Sequence, residues 1–167
     1  MALPLKDKVI AITGGTSGIG LATSKLLSSR GATVCICDFN PVTIESATEY
    51  FNSVSADFMA TKVDVSKESE VDSWIASIVE RHGKLDGAVN AAGVAGRAVG
   101  SSAGNLVDIT TDDFDFVMNV NLRGLFFCLR AEMRVIAEKG SIVNISSILG
   151  VMGMYRVSHF QTHFSNQ

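Results

Sequence analysis

The sequence predicts a doubly wound α/β domain built on a parallel sheet of about five strands. Short runs rich in β-branched residues alternate with segments that are long enough to form helices. A glycine-rich turn follows the first of these runs, and an aspartate ends the second. Because helical crossovers between parallel strands are right-handed, we expect the strand order 3-2-1-4-5, with helices on both faces of the sheet.

Each predicted strand is a short apolar run bounded by turn residues or by a helical segment. The five runs cover residues 8–13, 32–38, 58–66, 85–93 and 141–147. Cys35 and Cys37 alternate on the second run, so we expect both thiols to point to the same face as small apolar side chains. The three cysteines of the chain lack metal-ligand spacing, and we expect no metal site.

The segments between these runs have the apolar spacing and start signals of helices. Residues 16–31 form the first helical segment, and Asn40 before Pro41 predicts the start of the second. Ser66 is the expected N-cap of the third helix. A loop rich in glycine, alanine and serine follows at about 94–110, and one long helix is expected over 111–138.

Length and charge restrict the class of protein. A chain of 167 residues with 47% apolar residues and a net charge of −3 fits one domain, with no affinity for nucleic acid or a membrane surface. The N-terminus lacks the long apolar core of a secretory signal, so we expect a cytoplasmic protein. Residues 1–150 form the expected domain, and residues 151–167 are interpreted as a poorly ordered tail.

The glycine turn predicts a dinucleotide-binding domain of the Rossmann type. Thr13 to Gly20 reads "TGGTSGIG", between the first strand and the first helix, where backbone N–H groups can bind a pyrophosphate. Asp38 ends the second strand, where its carboxylate can accept hydrogen bonds from the adenosine ribose and repel a 2′-phosphate. No lysine or arginine lies within 14–20 or 38–40, which favours NAD over NADP as the cofactor.

These motifs resemble those of the short-chain dehydrogenase/reductase family between about Asp7 and Gly150. The matching pieces stand in the family's order: "TGGTSGIG", Asp38, "VDVS", "NAAG", "NVNLRG" and "GSIVNISS". The resemblance implies an oxidoreductase that transfers hydride between a nicotinamide and an alcohol or carbonyl group. The implied cofactor-binding residues are Gly14, Thr16, Ser17, Gly18, Ile19, Gly20, Asp38, Asp64, Val65, Asn90, Ala91, Ala92 and Gly93.

The resemblance also assigns two catalytic positions. Asn121 matches the family's asparagine that holds a water of the proton relay, and Ser147 matches the serine that hydrogen-bonds the substrate oxygen. Each residue has a structural alternative. The asparagine also stabilises the family's kinked helix, and the serine hydroxyl at the end of a strand can cap the following turn.

The family's tyrosine and lysine are missing from their expected positions. Phe160 stands 13 positions after Ser147 and Phe164 follows four residues later, and neither side chain can transfer a proton. Tyr155, with His159 four residues on, lies too early for the family's spacing. The sequence therefore resembles a family member that diverges or is truncated after Gly150.

Two functions remain open at this point. The first is an NAD-dependent oxidoreductase that acts on a small alcohol or carbonyl compound and is impaired in this chain. The second is a catalytically silent module that binds a dinucleotide or a partner. The helix over 111–138 carries apolar residues on more than one face, which predicts a homo- or hetero-oligomer through that helix.

Overall fold

A computed structural model describes residues 4–96 and 106–148, and five parallel strands form its centre. The strands lie in the order β3-β2-β1-β4-β5, which confirms the predicted topology. Their bounds are β1 Val9–Thr13, β2 Thr33–Asp38, β3 Phe58–Lys62, β4 Leu85–Asn90 and β5 Ile136–Asn144.

Helices cover both faces of the sheet, as a doubly wound fold requires. One face packs against α1 and α2, and the other packs against α3 and α5. The helices are α1 Gly18–Ser29, α2 Pro41–Ser53, α3 Glu68–His82, α4 Thr111–Met118 and α5 Leu125–Met133. A short 3₁₀ turn at Leu106–Asp108 precedes α4. No helix among the described residues has both the length and the apolar character of a membrane span.

Alternate residues of the central strands contribute to two separate cores, one on each face of the sheet. On β1, Val9 and Ala11 pack on the α3 side, whereas Ile10 and Ile12 pack on the α1 side. Cys35 and Cys37 lie with the α3 core and are fully buried, which confirms that the two thiols share a face. These buried strands position the residues at their carboxyl ends, and those residues form the site.

The predicted start is correct for α2 and wrong for α3. The Asn40 side chain accepts a hydrogen bond from the Val42 amide at 3.0 Å, so Asn40 caps α2. By contrast, α3 begins at Glu68 with Lys67 as its N-cap. The Ser66 hydroxyl instead donates to Asp64 Oδ1 at 2.6 Å, in the turn that precedes α3.

The single helix expected over 111–138 is wrong in its continuity and in its end. A π-helical segment, Asn119–Gly124, separates α4 from α5, and α5 ends at Met133. β5 begins at Ile136, which pairs with Leu85, because this β-branched side chain fits a strand. The expected strand over 141–147 therefore starts too late, and residues 145–147 follow β5 rather than belong to it.

Residues 149–167 lie outside the described part of the chain. The predictions that concern the tail over 151–167, Tyr155, His159, Phe160 and Phe164 fall there and stay predictions. The division of the chain at residue 150 also stays a prediction.

Candidate functional site

A cleft of about 690 Å³ lies at the carboxyl ends of β1, β2 and β4. The strand order reverses at this point, because the chain leaves β1 for β2 on one side and later returns to β4 on the other. The volume is that of a small-molecule site. Most of the predicted cofactor residues line the cleft: Gly14, Ser17, Gly18, Ile19, Gly20, Asp38, Asp64, Val65, Ala91, Ala92 and Gly93.

The N-terminus of α1 faces this cleft. Ser17 precedes the helix in an extended conformation, and its side chain makes no capping hydrogen bond to the first turn. The first-turn N–H groups of a helix have no intrahelical partner, and the helix dipole adds positive potential there. This end of the cleft is therefore suited to bind an anionic group such as a pyrophosphate.

Exposed apolar side chains frame one end of the cleft beside Asp38. Ile19 is 63% exposed and Phe39 is 62% exposed, and both line the cleft. The Asp38 carboxylate accepts a hydrogen bond from the Asn40 amide at 3.2 Å, which fixes its position at the strand end. Sequence reasoning missed Phe39, although an aromatic residue directly after the strand-end aspartate was a usable signal.

Lys62 brings a positive charge to the same end of the cleft. It pairs in register with Asp38 on the neighbouring strand, and its Nζ lies 5.5 Å from the centre of the Phe39 ring. The absence of lysine and arginine from 14–20 and 38–40 did not reveal this cation, because β3 lies beside β2 only in the folded sheet.

Asp64 and Val65 form the floor of this end. The Asp64 carboxylate accepts hydrogen bonds from the Ser66 amide at 3.0 Å and from the Ser66 hydroxyl. The Asp64 amide donates to Glu70 Oε2 at 2.8 Å, and this bond lowers the pKa of Glu70. These contacts fix the backbone of the turn after β3, which positions the Val65 side chain in the cleft.

The opposite wall consists of the residues that follow β4. The Asn121 side chain accepts a hydrogen bond from the Val94 amide at 2.8 Å and donates one to the Val94 carbonyl at 3.0 Å. Asn121 lies in the π-helical segment and is 6% exposed. Its side-chain amide therefore holds the backbone of the wall, and its role in a proton relay stays a prediction.

A second, smaller cavity of about 20 Å³ lies behind this wall. Thr13, Asn90 and Asn121 contribute polar side chains to its lining. A space of this size with several polar partners suits one water molecule. Asn121 therefore borders a water-sized site as well as the wall of the cleft.

Four of the predicted site residues do not line the main cleft: Asn121, described above, and Thr16, Asn90 and Ser147. Thr16 is buried, and its hydroxyl lies 2.7 Å from the hydroxyl of Thr43 on α2. Asn90 is 5% exposed and lies beneath the wall. Ser147 is half-buried and follows Ile145, which does line the cleft.

Other lining residues come from segments whose position the sequence pattern does not give. Phe116 on α4 and two residues of the π-helical segment line the cleft. The single helix expected over 111–138 did not indicate these positions. The lining residues missed by sequence analysis, besides Phe39, are Val63, Ser66, Val94, Phe116, Asn119, Val120 and Ile145. Within the described residues, no cluster of histidine, cysteine, aspartate and glutamate could hold a metal ion.

The fold and the position of the cleft define a doubly wound α/β protein of the Rossmann type. Residues 8–162 match the profile of the short chain dehydrogenase family. The chain belongs to this family, which confirms the resemblance of its motifs.

Similar proteins include enzymes of fungal origin. The chain is 50% identical over 152 residues to the short-chain dehydrogenase/reductase ABA4 of Pyricularia oryzae, and the match covers 90% of this chain and 56% of ABA4. It is 38% identical to the chanoclavine-I dehydrogenase of Aspergillus fumigatus, over 95% of this chain and 63% of that enzyme. The chain thus spans between about half and two thirds of these relatives.

Solved structures show the same fold. Levodione reductase superposes with a TM-score of 0.87 at 31% identity, over 96% of this chain and 62% of that chain. NAD⁺-bound xylitol dehydrogenase superposes with a TM-score of 0.88 at 29% identity, over 97% of this chain and 61% of that chain.

Proposed function

We propose that the chain binds NAD(H) in the main cleft and belongs to an oxidoreductase that acts on the alcohol or carbonyl group of a small molecule. The observation that carries this proposal is the position of the cleft between the N-terminus of α1, Asp38 and the wall after β4. The similar xylitol dehydrogenase, whose structure contains NAD⁺, supports NAD(H) as the cofactor.

The residues present fit the two halves of a dinucleotide. Asp38 would accept hydrogen bonds from the adenosine ribose, and Ile19 and Phe39 offer apolar surfaces to the adenine. The amides at the start of α1 would bind the pyrophosphate. The bound cofactor supplies or accepts the hydride. Asn121 would hold a water behind the nicotinamide end, and Ser147 would donate a hydrogen bond to the substrate oxygen.

We expect NADH to bind about tenfold more tightly than NADPH, because the Asp38 carboxylate repels a 2′-phosphate. Asp38→Ala should remove this preference, and Lys62, beside Phe39, should then favour NADPH. The single tryptophan of the chain, Trp74, provides the measurement through energy transfer to the bound reduced nicotinamide. Asp57→Ala is the matched control, since it removes the same charge directly before β3.

Equal binding of both cofactors by the unmodified chain would contradict the role of Asp38. Tighter binding of NADPH would overturn the assignment of NAD. If neither cofactor quenches the fluorescence of Trp74, and neither shows nicotinamide fluorescence when Trp74 is excited, the proposed function fails.

We also propose that this chain catalyses turnover poorly, since phenylalanine stands at both positions where the resembling family has its tyrosine and lysine. General acid–base catalysis contributes about 10²–10⁴-fold, and we expect a loss of that order. Oxidation of secondary alcohols by the unmodified chain, followed as NADH formation, is the measurement. Tyr155→Phe should leave the rate unchanged. Fast turnover that Tyr155→Phe abolishes would show that Tyr155 is the proton donor.

The oligomer predicted through the long helix stays a prediction. Phe126 on α5 is 53% exposed, and Phe114 and Leu122 are 36% and 37% exposed. These side chains form apolar surface that a partner helix could cover.

A further inference from the structure

Glu132 is a buried carboxyl group that neither the hydride chemistry nor the predicted site residues explain. It lies on α5 and is 1% exposed. Burial raises the pKa of Glu132 to about 7, although the hydrogen bond from Asn90 opposes this increase. A buried carboxyl group is costly, and an apolar residue would fill the same space at lower cost. Its presence therefore calls for a role in holding its neighbours.

The hydrogen bonds of Glu132 lead directly to the end of β4. Asn90 Nδ2 donates to Glu132 Oε2 at 3.0 Å and to Asn144 Oδ1 at 3.1 Å. Both hydrogens of the Asn90 side-chain amide are then donated to these two acceptors. The Asn90 Oδ1 atom consequently faces Thr13 Oγ1, which donates to it across 3.5 Å.

Thr13 carries this orientation to the wall of the cleft. Its Oγ1 accepts hydrogen bonds from the amides of Ala91 and Ala92, each at 3.2 Å. The Ala91 amide also donates to the Thr13 carbonyl oxygen at 3.2 Å, whereas the Ala92 amide is held by the hydroxyl. A threonine hydroxyl has two lone pairs and one hydrogen, so the two bonds to Oγ1 use both lone pairs. Its hydrogen is free to donate, and Asn90 Oδ1 is the acceptor that faces it at 3.5 Å. A reversed Asn90 amide would place a donor there instead.

The wall that these bonds hold lies close to the glycine turn. A Cβ atom added at Gly14 would lie 2.9 Å from Ala91 O and from Ala92 N. The backbone of Ala91 and Ala92 therefore has little freedom to move toward the turn, and a small displacement alters the cleft.

We propose that Glu132 is a positioning residue of the cofactor cleft. It fixes the orientation of the Asn90 amide, and Thr13 in turn holds the backbone of Ala91 and Ala92. The proposal rests on the proposed function, because it assigns to Glu132 an effect on cofactor affinity. It also makes a claim about the cofactor-free chain, namely that the Ala92 amide is protected through Glu132.

Two kinds of variant separate the acceptor from the volume of the side chain. Glu132→Gln keeps a carbonyl oxygen that can accept from Asn90, whereas Glu132→Leu fills the space without an acceptor. For Glu132→Leu we expect NADH to bind about tenfold more weakly and the Ala92 amide to exchange hydrogen about tenfold faster. Glu132→Gln should remain within about twofold of the unmodified chain in both measurements. Glu132→Met serves as a second apolar variant if leucine prevents folding.

The result that would overturn the proposal is unchanged amide exchange and NADH affinity in the folded apolar variants. Equal losses in Glu132→Gln and Glu132→Leu would also overturn it, because the acceptor would then be irrelevant. Failure of the unmodified chain to bind either cofactor refutes the proposed function, whereas the amide exchange of the free chain still decides the role of Glu132.

Discussion

Gly20→Ala should abolish NADH binding and lower the free energy of unfolding by about 3 kcal/mol. A Cβ atom at this position would lie 2.1 Å from the carbonyl oxygen of Gly14, which belongs to the backbone of the turn. Either the turn or the start of α1 must move to relieve this overlap. Both segments line the cleft, so the cleft is distorted together with the fold.

Gly83→Ala is the matched control for the stability of the fold. Gly83 ends α3 with a φ of 76°, and a Cβ atom there would have no neighbour within 4 Å. The substitution should cost about 1 kcal/mol through the left-handed backbone alone and leave NADH affinity unchanged. Denaturant unfolding and NADH titration of both variants make the comparison. Gly20→Ala with the stability and affinity of Gly83→Ala would contradict the close packing of the turn.

The second large effect is a dependence of stability on pH that comes from Glu132. Its pKa is raised from the ordinary value of 4.5 to about 7 by burial. Between these values the unfolded chain ionises this residue first, so stability falls as the pH rises and the loss is complete above about pH 7. A shift of this size corresponds to about 3 kcal/mol. Burial keeps the thiols of Cys37 and Cys128 neutral by raising their pKa, so they add no charge beside Glu132 in this range.

Glu132→Gln isolates this contribution. Relative to the unmodified chain, the variant should gain about 3 kcal/mol in unfolding free energy between pH 5 and pH 8. Asp86 does not disturb the comparison. Burial alone would raise its pKa, but hydrogen bonds from Lys8, Lys84 and the Val9 amide lower it to about 2. Its stabilising effect is lost only in acid, and equally in both proteins. A difference that is the same at both pH values would show that Glu132 is ionised in the folded chain.

The sequence predicted the strand order and most of the residues that line the cleft because both depend on local signals. Strand runs alternate with helical segments, and the glycine turn and Asp38 stand at strand ends. In a parallel sheet those ends meet at one edge, so residues that are far apart along the chain line one cleft. The shared face of Cys35 and Cys37 follows in the same way from the alternation of a strand.

The errors occur where tertiary contacts override the local pattern. The apolar spacing over 111–138 has no signal for the π-helical segment, which forms where Asn121 holds the Val94 backbone. The pattern also continues the helix past Met133, although pairing with Leu85 draws Ile136 into β5. Lys62 and Glu132 were missed because their significance comes from neighbours on other elements.

The central claim is that a dinucleotide binds at the carboxyl edge of the sheet. The direct test is amide chemical-shift mapping of the unmodified chain during titration with NADH. We expect the largest shifts at Gly18, Phe39, Val65 and Ala92, which line the cleft. The amide of Lys84, which lies directly before β4 at the opposite edge, should stay unchanged. Saturating NADH that shifts no amide, or shifts only those around Lys84, would contradict the account.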